Sequence, residues 1–130
     1  PQFPIQGLTE TDDAQARQTY LTVVRAAHEL GIAYLSVMHN DIDHSLIQDL
    51  RATFGGFFIL NSGFLAVTDR ATAERIVEQN LADAVGLGRL YIANPDLPRR
   101  FAENLPLNEP DGTTFYVGGE RGYIDYPFAP

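Results

Sequence analysis

The sequence predicts an α/β fold built on a parallel sheet, and three observations carry that expectation. Short apolar runs recur at Ile32 to Met38 (IAYLSVM), Phe57 to Leu60 (FFIL) and Ala82 to Leu87 (ADAVGL). Segments with apolar residues at helical spacing separate them. Each run closes in a polar or glycine-bearing turn, HNDID, NSG and GR, respectively. The order reads α-β-α-β-α-β-α. Strands that alternate with helices at short spacing call for parallel pairing and right-handed crossovers.

Taken in order, Pro1 to Gly7 holds two prolines and a glycine and reads as a loop. Thr9 or Thr11 can cap the first helix, with Asp12 and Asp13 well placed against the dipole of its first turn. Tyr20, Val24 and Ala27 share one face, joined by Leu21 and Leu30, and Gly31 suits the C-terminal cap. Ile32 to Met38 is short, apolar and bounded, as a buried strand should be. Ser45 is placed to cap a second helix whose Leu46, Leu50 and Phe54 share a face, and Gly55-Gly56 stops it. Phe57 to Leu60 is the second strand. A third helix starts near Thr68 and is expected to bury Ala73, Ile76 and Val77. Ala82 to Leu87 is the third strand, and Asp96 caps a fourth helix through Phe101 and Ala102. The tail from Leu105, with Phe115, Tyr116, Tyr123, Tyr126 and Phe128 among Gly118-Gly119 and Gly122, reads as an aromatic strap.

Three parallel strands leave two bare sheet edges, and their apolar character predicts that both faces are covered. A wedge of a larger α/β body satisfies both facts. A (β/α)8 barrel is the simplest whole that such a wedge fits.

Composition narrows the chemistry. The 130 residues suffice for one domain with a moderate core, and they include no cysteine. Disulfides, thiolate metal sites and cysteine nucleophiles are therefore excluded. Every basic residue is an arginine, which excludes a phosphate-loop lysine or a lysine Schiff base. The net charge of −8 disfavours nucleic acid and anionic membrane surfaces as partners. No run approaches the roughly 18 apolar residues of a membrane span, and PQFPIQGLTETDD lacks the pattern of a signal peptide.

Ligands of parallel α/β folds sit at the C-terminal ends of strands. After the first strand come His39, Asn40, Asp41, Asp43 and His44. After the second come Asn61, Ser62 and Gly63, and after the third Gly88 and Arg89. Backbone amides at glycine turns and one guanidinium are what an anion needs. The alternative is turn glycines beside a surface arginine. The His39–His44 cluster contains metal-ligand types but no standard ligand spacing, so a polar loop that caps the next helix is the plainer reading and no metal is expected. His28 sits on a helix as a surface or partly buried residue. Tyr116 and Tyr123 offer phenols that can hydrogen-bond a carbonyl or pack the strap. Asp125 is placed to accept from backbone amides.

GLGRLYIANPDLPRRF, LPLN, TFY and GYIDYPF, in that order, closely resemble the carboxy-terminal part of the Old Yellow Enzyme family of FMN-dependent ene-reductases. GIAYLSV, from Gly31, matches that family's sixth strand. FFILNSGF looks like its seventh, and ADAVGLGR like its eighth. The resemblance covers the whole chain, residues 1–130, and implies strands six to eight of one (β/α)8 barrel. It further implies FMN as cofactor, NADPH or NADH as reductant and an activated alkene such as an enone as substrate. Gly88 and Arg89 match the family's phosphate-binding pair. Ser62 and Gly63 match the turn whose amides also hold that phosphate. Tyr116 matches an aromatic residue that borders flavin and substrate.

The resemblance places no catalytic residue in this chain. The substrate-carbonyl pair, the proton-donating tyrosine and the strand-five arginine have no counterpart, and Pro1 matches a position just after that arginine. A complementary polypeptide carrying strands one to five is thus expected, with this chain inactive alone, in a cytoplasmic setting. The loop at His39 is shorter than usual, and Asn61-Ser62-Gly63 replaces a more glycine-rich run. A non-catalytic phosphate- or flavin-binding part-barrel is the alternative.

Overall fold

The computed structural model describes residues 2–3, 13–63, 67–117 and 119–130. The expected caps at Thr9 and Thr11, together with Asp12, Phe64 and Gly118, lie outside them. The chain forms two compact units, Pro1–Gly86 and Leu87–Pro130.

The first unit is a parallel sheet of four strands in sequence order, β1 (Gln2–Phe3), β2 (Tyr34–His39), β3 (Phe57–Asn61) and β4 (Ala84–Val85). Helices α1 (Asp13–Glu29), α2 (Ser45–Phe54) and α3 (Arg70–Glu78) connect them. The loop expected across Pro1 to Gly7 therefore contains a short strand, in which Gln2 pairs with Met38 and Phe3 with His39. Two residues are too few to show a period of two in sequence.

Register explains the core. Leu35 pairs with Phe58 and Val37 with Leu60, so one row of side chains faces the helices. Phe58, Leu60, Val37, Leu46, Ile47, Leu50, Phe54, Val24 and Ile76 form a single buried cluster. The opposite row, which includes the Tyr34–Phe57 pair, remains accessible; Tyr34 is 56% and Phe57 50% exposed. The expectation of two covered faces concerned the larger α/β body of which this chain is a wedge. Alternate strand residues point to opposite sides, and this chain's helices supply only one side.

Local chemistry sets the element ends. Gly55 ends α2 in the left-handed conformation at φ 63°, its N–H donating to the Arg51 carbonyl, the cap geometry that favours glycine. The cap of α2 is His44 rather than Ser45, because its ring nitrogen accepts the Leu46 N–H. Asp69 caps α3 through the Thr72 N–H. On α3, Ile76 is fully buried but Val77 is exposed, because nine residues pack only a narrow stripe and Val77 lies a hundred degrees round from it. Leu30 also turns outward, just before the Gly31 reversal. The third predicted strand shortens to Ala84–Val85. Ahead of it, the Asp83 carboxylate accepts the Phe58 N–H while the Asp83 N–H donates to the Phe58 carbonyl.

The second unit holds α4 (Arg89–Ala93) and α5 (Leu97–Glu103) followed by turns. The five-residue α4 is too short to announce itself by periodicity. Asp96 occupies the N-cap position of α5 but makes no cap hydrogen bond. Its carboxylate instead accepts from the Arg100 guanidinium at 2.6 Å and from the Ala129 N–H at 2.8 Å. Arg100 continues to the Pro127 carbonyl at 2.7 Å. Asn94 and Asn108 exchange side-chain and backbone hydrogen bonds, and Asn108 also reaches Pro127. The tail is thus a strap, as expected, and buried polar groups fasten it.

Candidate functional site

The first unit presents the turn at the end of β3. Ser62 and Gly63 are both buried. The Ser62 hydroxyl shares a hydrogen bond with Thr68 Oγ1 at 2.6 Å. The Gly63 N–H donates to Asn61 Oδ1 at 2.8 Å, and Asn61 Nδ2 donates to the Gly86 carbonyl. Gly63 adopts φ 89°, and a Cβ there would collide with the Asn40 side-chain oxygen. Glycine is favoured there on conformational grounds.

The second unit presents Gly88 and Arg89. Gly88 precedes α4, and its carbonyl accepts the Tyr91 and Ile92 N–H groups. A Cβ on Gly88 would meet nothing within 4 Å, so the backbone there is open to approach. Arg89 is half-buried. Tyr116 is 92% exposed, its ring edge-on to Phe115. Tyr123 joins Tyr91, Ile92, Pro95 and Phe128 around an open aromatic cleft of about 490 Å³. Asp125 accepts the Gly122 N–H at 2.7 Å, the backbone role expected of it.

The polar loop after β2 is occupied with its own structure. His39 is buried, accepts the Asp41 N–H on Nδ1 and stacks on His44 at 4.6 Å. Asp43 binds the Arg75 guanidinium through both oxygens. Among the described residues, no group of three or more metal-ligating side chains comes together. His28 is exposed and bonds the Phe54 carbonyl at 2.7 Å.

Asp83 and Asp96 are shifted carboxylates with structural partners. Hydrogen bonding from Arg51, then from the Phe58 N–H, holds Asp83 below the ordinary carboxylate range. Burial pushes Asp96 upward, but the Arg100 guanidinium and the Ala129 N–H outweigh it, and the net shift is downward. These groups hold the scaffold rather than do chemistry. Thr68 and Asn40 were not legible as neighbours of the turn; Asn61 carried the one usable signal, an Asn two residues before a strand-end glycine.

No family model matches the chain. A 12-oxophytodienoate reductase-like protein of Solanum lycopersicum is 35% identical over 128 residues, 96% of this chain and 34% of its own length. Morphinone reductase, solved with tetrahydroNAD, superposes with a TM-score of 0.76 at 36% identity, over 88% of this chain and 31% of that one. The Old Yellow Enzyme homologue from Zymomonas mobilis gives 0.73 at 31% identity, over 85% and 32%. The chain belongs to the Old Yellow Enzyme family. It spans about a third of the length of each of these relatives. Its parallel α/β architecture is a section of the Old Yellow Enzyme (β/α)8 barrel. No described helix is long and apolar enough to cross a membrane.

Proposed function

We propose that this chain is the phosphate-binding section of an FMN-dependent, NAD(P)H-driven ene-reductase barrel that works in a cytoplasmic setting. Both units belong, on this reading, to one domain, and the remaining barrel strands come from a complementary polypeptide or segment. The observation that carries the reading is the pair of strand-end turns, Asn61–Gly63 after β3 and Gly88–Arg89 after β4, in a chain of this family.

The donor set suits FMN. Gly88 and Arg89 offer an exposed backbone and one guanidinium, with no carboxylate among the four residues; the Ser62 and Gly63 N–H groups donate to Thr68 and Asn61 and would have to turn to the phosphate. Gly88 is sterically open. These residues would hold the FMN phosphate, and the exposed Tyr116 would border the flavin and an enone substrate. When bound, the flavin would supply hydride transfer from the nicotinamide to the activated alkene. Arg89 supplies the only full positive charge of the set, and the glycines let the backbone approach the anion closely.

Arg89→Ala should weaken FMN in the assembled barrel by about 1.5–3 kcal/mol, the range for a hydrogen bond to a charged group. Flavin fluorescence titration reads the dissociation constant, and an unchanged value would show that Arg89 points elsewhere. The chain alone should bind FMN weakly and oxidise no NADPH. Micromolar binding with NADPH turnover by the isolated chain would refute the need for a complement.

A further inference from the structure

We propose that helix α2 is a pH-sensitive switch that opens at its N-terminal end alone, because the histidines at its two ends need opposite protonation of the same ring atom. At the N-terminal end, the Leu46 N–H donates to His44 Nδ1 at 3.3 Å. At the C-terminal end, His28 Nδ1 reaches the Phe54 carbonyl at 2.7 Å.

The partners fix the rings. An amide N–H can only donate, so Nδ1 of His44 must be bare and its proton must sit on Nε2. A carbonyl can only accept, so Nδ1 of His28 must carry a proton. A neutral ring serves either end. A doubly protonated ring serves only the second. Its charge is also well placed at the C-terminal end of a helix and badly placed at the N-terminal end, where unpaired amides already concentrate positive charge.

A second ring adds to the sensitivity of the N-terminal end. His39 stacks on His44 with centroids 4.6 Å apart, and its Nδ1 accepts the Asp41 N–H at 3.0 Å. The same atom is thus held bare for the same reason. His39 is only 4% exposed, and charging a buried ring is costly. The charged groups on the elements around the pair have partners of their own. Arg17 of α1 binds Asp49 and Ser45 of α2, Arg75 of α3 binds Asp43, and the Asp41 carboxylate accepts the Asp43 N–H. Towards the other end of α2, Arg51 binds Asp83. Imidazole is the side chain that ordinarily changes charge between about pH 5 and 8. Acidification through that range turns Nδ1 of His44 and of His39 from acceptor to donor. The first turn of α2 and the loop from His39 to His44 then lose these hydrogen bonds, while the His28 bond persists. That loop carries Asn40, which stands against Gly63, so the end of β3 loses a neighbour.

Two measurements on the whole chain test the switch. Ring-nitrogen NMR at about pH 8 should show His44 and His39 with the proton on Nε2 and His28 with it on Nδ1. Amide-exchange protection, corrected for the intrinsic pH dependence of exchange, should fall at Leu46 by about fivefold between about pH 8 and 5, the scale of a lost helix cap. It should fall at Asp41 as well, and hold at Gly55, whose N–H donates to the Arg51 carbonyl at the other end of α2. His44→Asn keeps a cap acceptor that does not titrate, so its Leu46 protection should hold across the range. Should that variant fail to fold by circular dichroism, His44→Ser replaces it with the same expectation. A proton on Nδ1 of His44, or a Leu46 protection that stays level in the wild type, would overturn the switch. So would a fall at Leu46 that is as large in the variant, or one that Gly55 shares in full.

Discussion

The two units solve the same problem with different chemistry. Up to Gly86, the fold is held by an apolar cluster under one face of the sheet, centred on Phe58, Leu60, Ile47 and Ile76, each at 0% exposure. From Leu87 onward, buried polar groups, Asn94 and Arg100, stand beside the apolar Leu90, Ala93 and Leu97. Asp96, Arg100, Asn94 and Asn108 bind one another and the carbonyls and amides of the tail. A region with repeating strands and helices satisfies its backbone internally and can bury hydrocarbon. A tail without regular structure must satisfy its backbone with side chains, because a buried unpaired carbonyl or amide costs about 1–3 kcal/mol. The polar contacts of the second unit follow from its irregular backbone.

Phe58→Ala attacks the first solution and carries the largest expected effect. The ring is fully buried on the helix-covered face of β3, and the Arg51 guanidinium lies 5.9 Å above its centroid. Losing a buried phenyl leaves a cavity in a close-packed cluster and costs about 3–5 kcal/mol. Urea unfolding followed by circular dichroism should show the midpoint fall with the slope unchanged. A loss below 1 kcal/mol would mean that the cluster collapses into the space and that packing here is loose.

Asp96→Asn attacks the second solution, and its mark is a pH dependence. Asp96 is held below its ordinary value in the folded chain. The stabilisation is therefore fully present above the unfolded carboxyl value of about 3.9 and is lost as pH falls through the lower folded value. Acidification of the wild type should release the tail, read as faster amide exchange at Ala129, whose N–H Asp96 accepts. In Asp96→Asn, that exchange should be fast already at pH 7 and change little on acidification. Protection at Ala129 that is equal in the two proteins at pH 7 would show that the Asp96 charge does not fasten the strap.

The legible and illegible parts divide along the same line. β2 and β3 are legible as short bounded apolar runs and α2 from its apolar spacing, since burial of hydrocarbon writes itself into the order of apolar residues. The core residues Leu46, Leu50 and Phe54 were read that way, and each is buried. Val77 was misread because periodicity marks an apolar stripe but not its width. β1 and α4 were missed for lack of length. The polar fastening was invisible, because Asp96 and Arg100 stand four apart like any surface pair, and only the folded tail brings Ala129 and Pro127 to them. At the candidate site, Ser62, Gly63, Gly88 and Arg89 were found at the ends of β3 and β4, where parallel folds place their ligands. The hydrogen bonds of Asn61 were not foreseen, since one of them crosses 25 residues.

The smallest expected effect tests whether ion pairs as such matter here or only buried ones. Arg70 and Glu74 stand one turn apart on α3, with side chains 40% and 51% exposed. Their bond, at 2.6 Å, is as short as that of Arg100 and Asp96. Water and salt screen an exposed pair, and holding two long side chains in one geometry costs entropy, so Glu74→Ala should lower stability by only about 0.3–0.5 kcal/mol. The loss should vanish in molar salt, where the screening length falls to about 3 Å. Urea midpoints at low and high salt decide it. A salt-insensitive loss of more than 1 kcal/mol would show that equal geometry gives equal strength, and burial would then no longer explain why the tail is fastened at Arg100.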